Sequence, residues 1–361
     1  MAAELSDREL RLLRWRAQLL APASGESSLA RAAKAAMTIQ AQDVGAAALA
    51  VRARTDGLTF EQVRRQGARK SACRSWLMRN TLFLFASGDL AWMRPLLAQR
   101  PMVPALRRLS QEGVSGRKAD SVLEVLSERL AAGPITRRDS IELIEAEGVQ
   151  RGENNQRAYW LIHLAALRGV LVIRPALDRV QTFVAAPPES PLERDRALGR
   201  LARRYIRAYQ PASVRDFAYW AKITMADARL GWERAGRLAE ISTSQGVLST
   251  LAGGLEPLDP ERPLVRLLGL WDNYLLGHRD RELAVPRPAA GWVRAGGGLL
   301  KPTAFADGRA FGTWRLERDN SRITVRVDPF DRIPRGVKPG LEAEVADLGR
   351  FYGAEARLAT A

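Results

Sequence analysis

Two carboxamides two residues apart, Gln40 and Gln42 in Gln40-Ala41-Gln42, have the clearest capacity for joint chemistry in this 361-residue sequence. A carboxamide oxygen is a dipole that can orient water or stabilise a developing cation, with no pKa that must first be tuned. Geometry decides whether the two act together. Residues two apart diverge by roughly 200° on a helix but point the same way on an extended segment. The pair therefore converges on one small target if its backbone is extended. The alternative is a polar turn whose amides cap helix ends.

Other chemistries find less support. The two histidines, His163 and His278, lie far apart, with no paired Cys or His spacing for a metal. His163 sits among Leu161, Ile162 and Leu164 and reads as a satisfied core or groove residue. Cys73 has no histidine partner nearby in sequence and reads as a small packed apolar group. Gly296-Gly297-Gly298 lacks the Lys-Ser/Thr of a phosphate loop and reads as a turn. Asp272, in Trp271-Asp272-Asn273-Tyr274, is set amid aromatic and apolar neighbours and reads first as a cap on local backbone amides. No metal and no cofactor is expected.

The elements flanking the glutamines follow from periodicity. Leu29, Ala32, Ala33, Ala36 and Met37 predict a helix over 28–39, and Asp43 caps a second helix over 44–54. Between them the Gln segment is read as an irregular or extended connector. Further along, three stretches share an order of helices followed by a strand pair. The first, within 1–110, has helices near its start, another over 59–66, and an apolar run over 76–85 that could be a wing strand. The second, 111–187, reads as helices over 122–130, 141–147 and 155–167, begun by Thr136 or Asp139 in the middle case, then strands over 170–174 and 180–185 joined by a short turn. The third, 192–252, reads as helices over 198–209, 213–220 and 224–237 and a β-like run over 238–251. From 263 to 361 short strands (265–270, 292–294, 303–305, 310–316, 323–327) alternate with Gly, Pro, Asp and Asn turns and end in a helix over 341–352. That suits a small barrel or curled sheet. The fold class is α+β.

Composition gives this scaffold a partner. Fifty-six Lys and Arg against 40 Asp and Glu leave a formal charge of +16, a field that favours polyanions and above all nucleic acid. Only six of the bases are lysines; codon bias explains that preference for arginine but not the excess of bases over acids. A single cysteine excludes an intrachain disulfide and suits a reducing compartment. Residues 1–9 are charged and lack an apolar leader core, and Ser6-Asp7-Arg8-Glu9 reads as a capping box. No apolar run reaches membrane-spanning length. The expectation is a cytoplasmic, nucleoid-associated protein with no membrane contact.

Several motifs carry a family resemblance. Ile39-Gln40-Ala41-Gln42 resembles the catalytic signature of the AlkZ-type DNA glycosylases, a family of tandem winged-helix proteins that includes YcaQ. Leu5-Ser6-Asp7-Arg8 is similar to the family's first helix, and Trp76-Leu77-Met78-Arg79-Asn80-Thr81-Leu82 to its W-x-M-R-G-T-L-H strand. Asp216-Phe217-Ala218-Tyr219-Trp220 resembles its third winged-helix unit. Asp272-Asn273-Tyr274-Leu275-Leu276-Gly277, Arg279-Asp280-Arg281 and Gly312-Thr313-Trp314 resemble its C-terminal barrel. Asn80 stands where Gly is usual and Phe83 where His is usual, so no role of that histidine carries over.

The resemblance implies three tandem winged-helix units and a C-terminal β-barrel with a terminal helix, wrapped in a C shape around double-stranded DNA. The family's signature is Gln-hydrophobic-Gln, or Gln-hydrophobic-Asp in the YcaQ branch, so Gln40 and Gln42 are the expected catalytic pair. Arg79, Arg151, Arg157, Arg279 and Arg281 are the expected DNA contacts. The implied reaction is hydrolysis of the N-glycosidic bond of N7-alkylated purines, bulky or crosslinked, by a monomer, in DNA repair or genotoxin self-resistance. Alkylation at N7 makes the base cationic and a good leaving group, so neutral amides suffice at C1′. A non-catalytic winged-helix transcriptional regulator would explain charge and fold equally well, and would leave the glutamines as a turn.

Overall fold

A computed structural model describes residues 4–22, 24–175, 180–253, 256, 258–319 and 321–360. The chain divides into two compact units, Met1–Val63 with Leu198–Ala361, and Arg64–Ala197.

The first unit opens with the helix Asp7–Ala17, started by a capping box in which Ser6 and Glu9 satisfy each other's backbone amides. Leu10, Leu12, Leu13 and Trp15 are buried along it. The next helix, Leu29–Ala35, ends four residues earlier than periodicity predicts. The chain breaks it by taking left-handed backbone at Met37 (φ 55°) and Thr38 (φ 78°), which helical spacing of apolar residues cannot reveal. The chain then extends through the two-residue strand Ile39–Gln40. Asp43 accepts a hydrogen bond from the Ala46 amide at 2.6 Å and starts the helix Val44–Arg52, as its residue type suggests.

The rest of this unit is one helical cluster and one sheet. The cluster comprises Arg194–Tyr209, whose first turn lies in the other unit, Val214–Ala221 capped by a Ser213–Asp216 box, and Met225–Glu233 capped by Thr224. The hairpin Leu238–Thr243 and Gly246–Leu251 follows. The sheet runs in the order Glu355–Thr360, Arg322–Pro329, Arg309–Asp319, Thr303–Ala306, Val265–Leu268. It is a half-barrel, open at both edge strands: of the small barrel or curled sheet that the strand pattern suits, the curled sheet, and not the closed barrel that the resemblance implies. Its last strand, Glu355–Thr360, pairs parallel with Arg322–Pro329 and has no strong sequence signal beside the helix before it. Gly312 is required in the long hairpin, because a Cβ there would lie 2.7 Å from the Asp328 carbonyl oxygen. Leu341, Val345 and Leu348 of the helix Lys338–Tyr352 pack on Leu267, Ile323, Val325 and Val327. The strand expected over 292–294 is instead the end of a short helix, Ala290–Val293; three apolar residues are too few for periodicity to separate the two.

The second unit carries strands in the order Leu82–Ala86, Ala72–Trp76, Leu171–Ile173, Thr182–Ala185, Ile135–Thr136. The expected single strand over 76–85 is therefore the end of one strand, a turn at 77–81 and most of a second strand. Arg79 (φ 56°) and Asn80 (φ 53°) form the left-handed tip. Glycine suits such a position, and asparagine tolerates it better than most side chains. The helices are Ser87–Leu97, Gln99–Gln111, Gly116–Ala131, Arg137–Ala146 and Gln156–Leu167. The first two are absent from the sequence reading, with Pro95 and Pro104 inside them. The turn expected between 174 and 180 falls largely at 176–179, outside the described residues. Helices followed by a hairpin recur in the second and third stretches, in the order read from the sequence.

Candidate active site

Gln40 is 6 % exposed, between the fully buried Ile39 and Ala41, and Gln42 is exposed. The Gln40 side-chain oxygen accepts from the Gln42 backbone amide at 3.3 Å. That bond uses one of two lone pairs on the oxygen. The backbone of Gln40 donates to the Asn273 Oδ1 at 3.0 Å, and the Asn273 Nδ2 donates to the Thr38 carbonyl. One buried asparagine thus grips the chain on both sides of Ile39.

The surroundings hold that asparagine in turn. Asp272 accepts from the Tyr274 amide at 2.9 Å and so caps the local backbone, as its sequence setting suggests. It also receives both terminal nitrogens of Arg54, at 2.7 and 2.8 Å, in an ion pair with both side chains almost fully buried. Arg54 reaches further to Gln18 (3.1 Å), which donates to the Ala208 carbonyl. A second buried arginine, Arg52, bonds Glu344 at 2.8 Å and Asp347 at 2.7 Å. Those contacts fasten the helix after the glutamines to the C-terminal helix. Both Arg52 and Arg54 escape sequence reading, because their partners lie more than two hundred residues away.

Gly277, in the same segment as Asn273, lies against the ring of Tyr209, where a Cβ would come within 2.1 Å. Tyr209 stacks on Tyr205 (centroids 5.0 Å), and its hydroxyl accepts from Asn273 at 3.3 Å. His278 is buried, bonded to the Tyr209 carbonyl at 2.9 Å; burial, reinforced by Arg14 and opposed by Asp216, pushes its pKa down to about 3.

The five predicted DNA-contact arginines have different settings. In the first unit, Arg281 spends its guanidinium on the Leu275 carbonyl (2.6 Å) and the Tyr219 hydroxyl (3.0 Å). The Arg279 amide donates to Asp216 at 2.9 Å, and Arg279 lines a cavity of about 660 Å³ with Asp216, Asp280 and His278. In the second unit, Arg79 sits half-buried at its hairpin tip. Arg151 makes a two-pronged bond to Glu145, 2.6 Å on each arm, and Arg157 faces Glu112 at 3.9 Å. One cationic feature is missing from the sequence reading. Arg196, Arg200, Arg203 and Arg207 are exposed on the helix Arg194–Tyr209 at spacings of four, three and four, opposite a buried apolar face. Helical spacing alone could have found it.

His163 is fully buried, but the expectation that it is satisfied is overturned: among the described residues neither ring nitrogen has a hydrogen-bond partner. It lies among Trp76, Tyr159 and Trp160, with centroids 5.3–6.0 Å away, and burial lowers its pKa to about 4. Its apolar sequence neighbours indicate depth but cannot show whether a nitrogen finds an acceptor. Among the described residues no group of three or more His, Cys, Asp or Glu side chains could hold a metal. No described helix is long and apolar enough to cross a membrane.

Comparison with known proteins places these features in a family. The model of the family described as DNA glycosylase AlkZ-like matches residues 33–351, a span that includes both glutamines and Asn273. The chain is 27 % identical over 340 residues to an interstrand DNA cross-link repair glycosylase of Streptomyces sahachiroi, covering 87 % of this chain and 88 % of the relative. The solved structure of the Streptomyces sahachiroi DNA glycosylase AlkZ superposes with a TM-score of 0.80 at 25 % identity, covering 99 % of this chain and all of the other.

Proposed function

Because the chain belongs to the AlkZ-like DNA glycosylase family, and so is a hydrolase of the N-glycosidic bond, we propose that it removes N7-alkylated purines from double-stranded DNA, with Gln40 and Gln42 as its catalytic pair. The regulator reading, open on sequence, gives way to that membership. The observation that carries the assignment is the Gln segment held by Asn273, extended at Ile39–Gln40 and bent at Gln42, with Gln40 buried and Gln42 exposed.

The chemistry follows from the substrate. N7 alkylation places a positive charge on the base, and cleavage of the C1′–N9 bond returns the bonding electron pair to the base, which departs neutral. Positive charge builds at C1′, where water attacks and releases a proton to solvent. Gln40, largely screened from water, can direct its amide oxygen at that charge, where a fixed dipole is worth most. Gln42, exposed, can orient the attacking water. Bulky or crosslinked adducts suit a site with no enclosing base pocket among its requirements, and the cross-link repair named for the relative supports that class.

The three helix-and-hairpin stretches act in this reading as winged-helix units, with Arg79, Arg151, Arg157, Arg279 and the exposed stripe on Arg194–Tyr209 meeting phosphates. We further place the protein in the cytoplasm with the nucleoid, as its DNA substrate and the lone, buried Cys73 suggest. The direct test is incubation with a duplex carrying one N7-methylguanine and with a crosslinked duplex. The expected products are free alkylated base and an alkali-labile abasic site. Footprint protection without either product would refute the substrate assignment.

A further inference from the structure

We propose that Asn273 is a positioning residue that sets the direction of the Gln40 amide, an inference that rests on the catalytic reading of the glutamine pair. Three observations carry it. Asn273 is 2 % exposed and bonds main-chain atoms on both sides of Ile39, accepting from the Gln40 amide and donating to the Thr38 carbonyl. The backbone it grips is strained, since Met37 and the β-branched Thr38 both hold left-handed φ values. The Thr38 hydroxyl is also buried with no hydrogen-bond partner among the described residues. Strained and unsatisfied groups persist where surrounding structure over-determines them, and such places cluster at functional sites.

The amide group of Asn273 fits this task because it offers an acceptor and a donor in one plane. Oδ1 takes the Gln40 N–H, and Nδ2 takes the Thr38 carbonyl and also approaches the Tyr209 hydroxyl at 3.3 Å. Without it the two hydrogen bonds that tie Thr38 and Gln40 to the 272–277 segment are lost. Met37 and Thr38 would then relax toward ordinary φ values, shifting the strand that carries Gln40 and swinging its side-chain oxygen away from the Gln42 amide. A misplacement on the order of 1 Å at a reacting centre can cost about 100-fold in rate. Asn273 touches neither substrate nor water in this account; it acts through Gln40.

Two variants test it, read by single-turnover base release and separately by DNA affinity. Asn273→Ala should lower the single-turnover rate by about 10- to 100-fold while the dissociation constant for adducted duplex stays within about twofold. Asn273→Asp keeps the acceptor for Gln40 but puts a carboxylate oxygen against the Thr38 carbonyl at neutral pH. Protonating that buried acid restores a donor, so its rate should recover as pH falls, in a limb that the wild type lacks. In a double-mutant cycle, Gln40→Ala and Asn273→Ala should be strongly non-additive. Should Asn273→Ala fail to fold, the pH profile of Asn273→Asp decides. A wild-type rate in folded Asn273→Ala, a loss due entirely to weaker DNA binding, additive effects, or an Asp variant with a wild-type pH profile would each overturn the proposal. Failure of the glutamine reading is distinguishable, because there Gln40→Ala and Gln42→Ala themselves would leave the rate intact.

Discussion

At the scale of single residues, the sequence marks the two glutamines by type and spacing, and the structure adds what type cannot show. Gln40 and Gln42 differ in exposure, and Gln40 is gripped through its backbone rather than its side chain. His163 illustrates the limit of residue-level reading, since its apolar neighbours report burial but not the two unpartnered nitrogens. Its pKa of about 4 has a measurable consequence. Below about pH 6.5 the unfolded chain takes up a proton that the folded chain refuses, so stability falls as pH drops from there toward 4. The slope from this one histidine approaches about 1.4 kcal/mol per pH unit. His163→Phe should flatten the loss of stability measured by urea unfolding between pH 7 and 5, leaving the part due to His278. An equally steep loss in the variant would show that folded His163 takes up its proton as readily as the unfolded chain does.

At the scale of elements, capping residues were the most legible signals. Ser6 and Asp43 each begin the helix that their side chains suggest, and of the two candidates Thr136 and Asp139 it is Thr136 that caps the helix; the Ser213 and Thr224 caps are seen in the structure. Helix ends and short strands were less so. The helix before the glutamines stops early where Met37 and Thr38 turn left-handed, and the Thr38 carbonyl there accepts from Asn273, 235 residues along the chain, a partner that local propensity cannot reveal. The same holds for the segment after them, whose arginines find partners far along the chain. Arg54 and Asp272 form a buried, two-pronged pair, and removing one partner strands a charge where water cannot reach it. Asp272→Ala should cost roughly 3–5 kcal/mol in chemical denaturation, whereas Arg54→Met with Asp272→Leu should cost much less. A single variant as stable as wild type would mean that Arg54 reaches solvent in solution.

At the scale of the whole molecule, charge and family agree on DNA, and charge sets the terms of binding. The excess of bases over acids comes mostly from arginine, many of them paired to carboxylates as Arg151 is to Glu145. Phosphates must compete with those carboxylates. Binding to undamaged duplex should be insensitive to sequence and steep in salt, with a log–log slope near −5 if about six phosphates are neutralised at roughly −0.9 each. Arg151→Ala with Arg157→Ala should flatten that slope by about one to two units. An unchanged slope would remove this loop from the DNA path. Amides at C1′ release few counterions, so catalysis and salt dependence should separate. The most direct test of the central claim is therefore the single-turnover rate of N7-methylguanine release at saturating enzyme, for wild type and for Gln40→Ala with Gln42→Ala. The rate should fall by about 100-fold or more in the double variant with the salt slope of binding preserved. Release at the wild-type rate would contradict that claim.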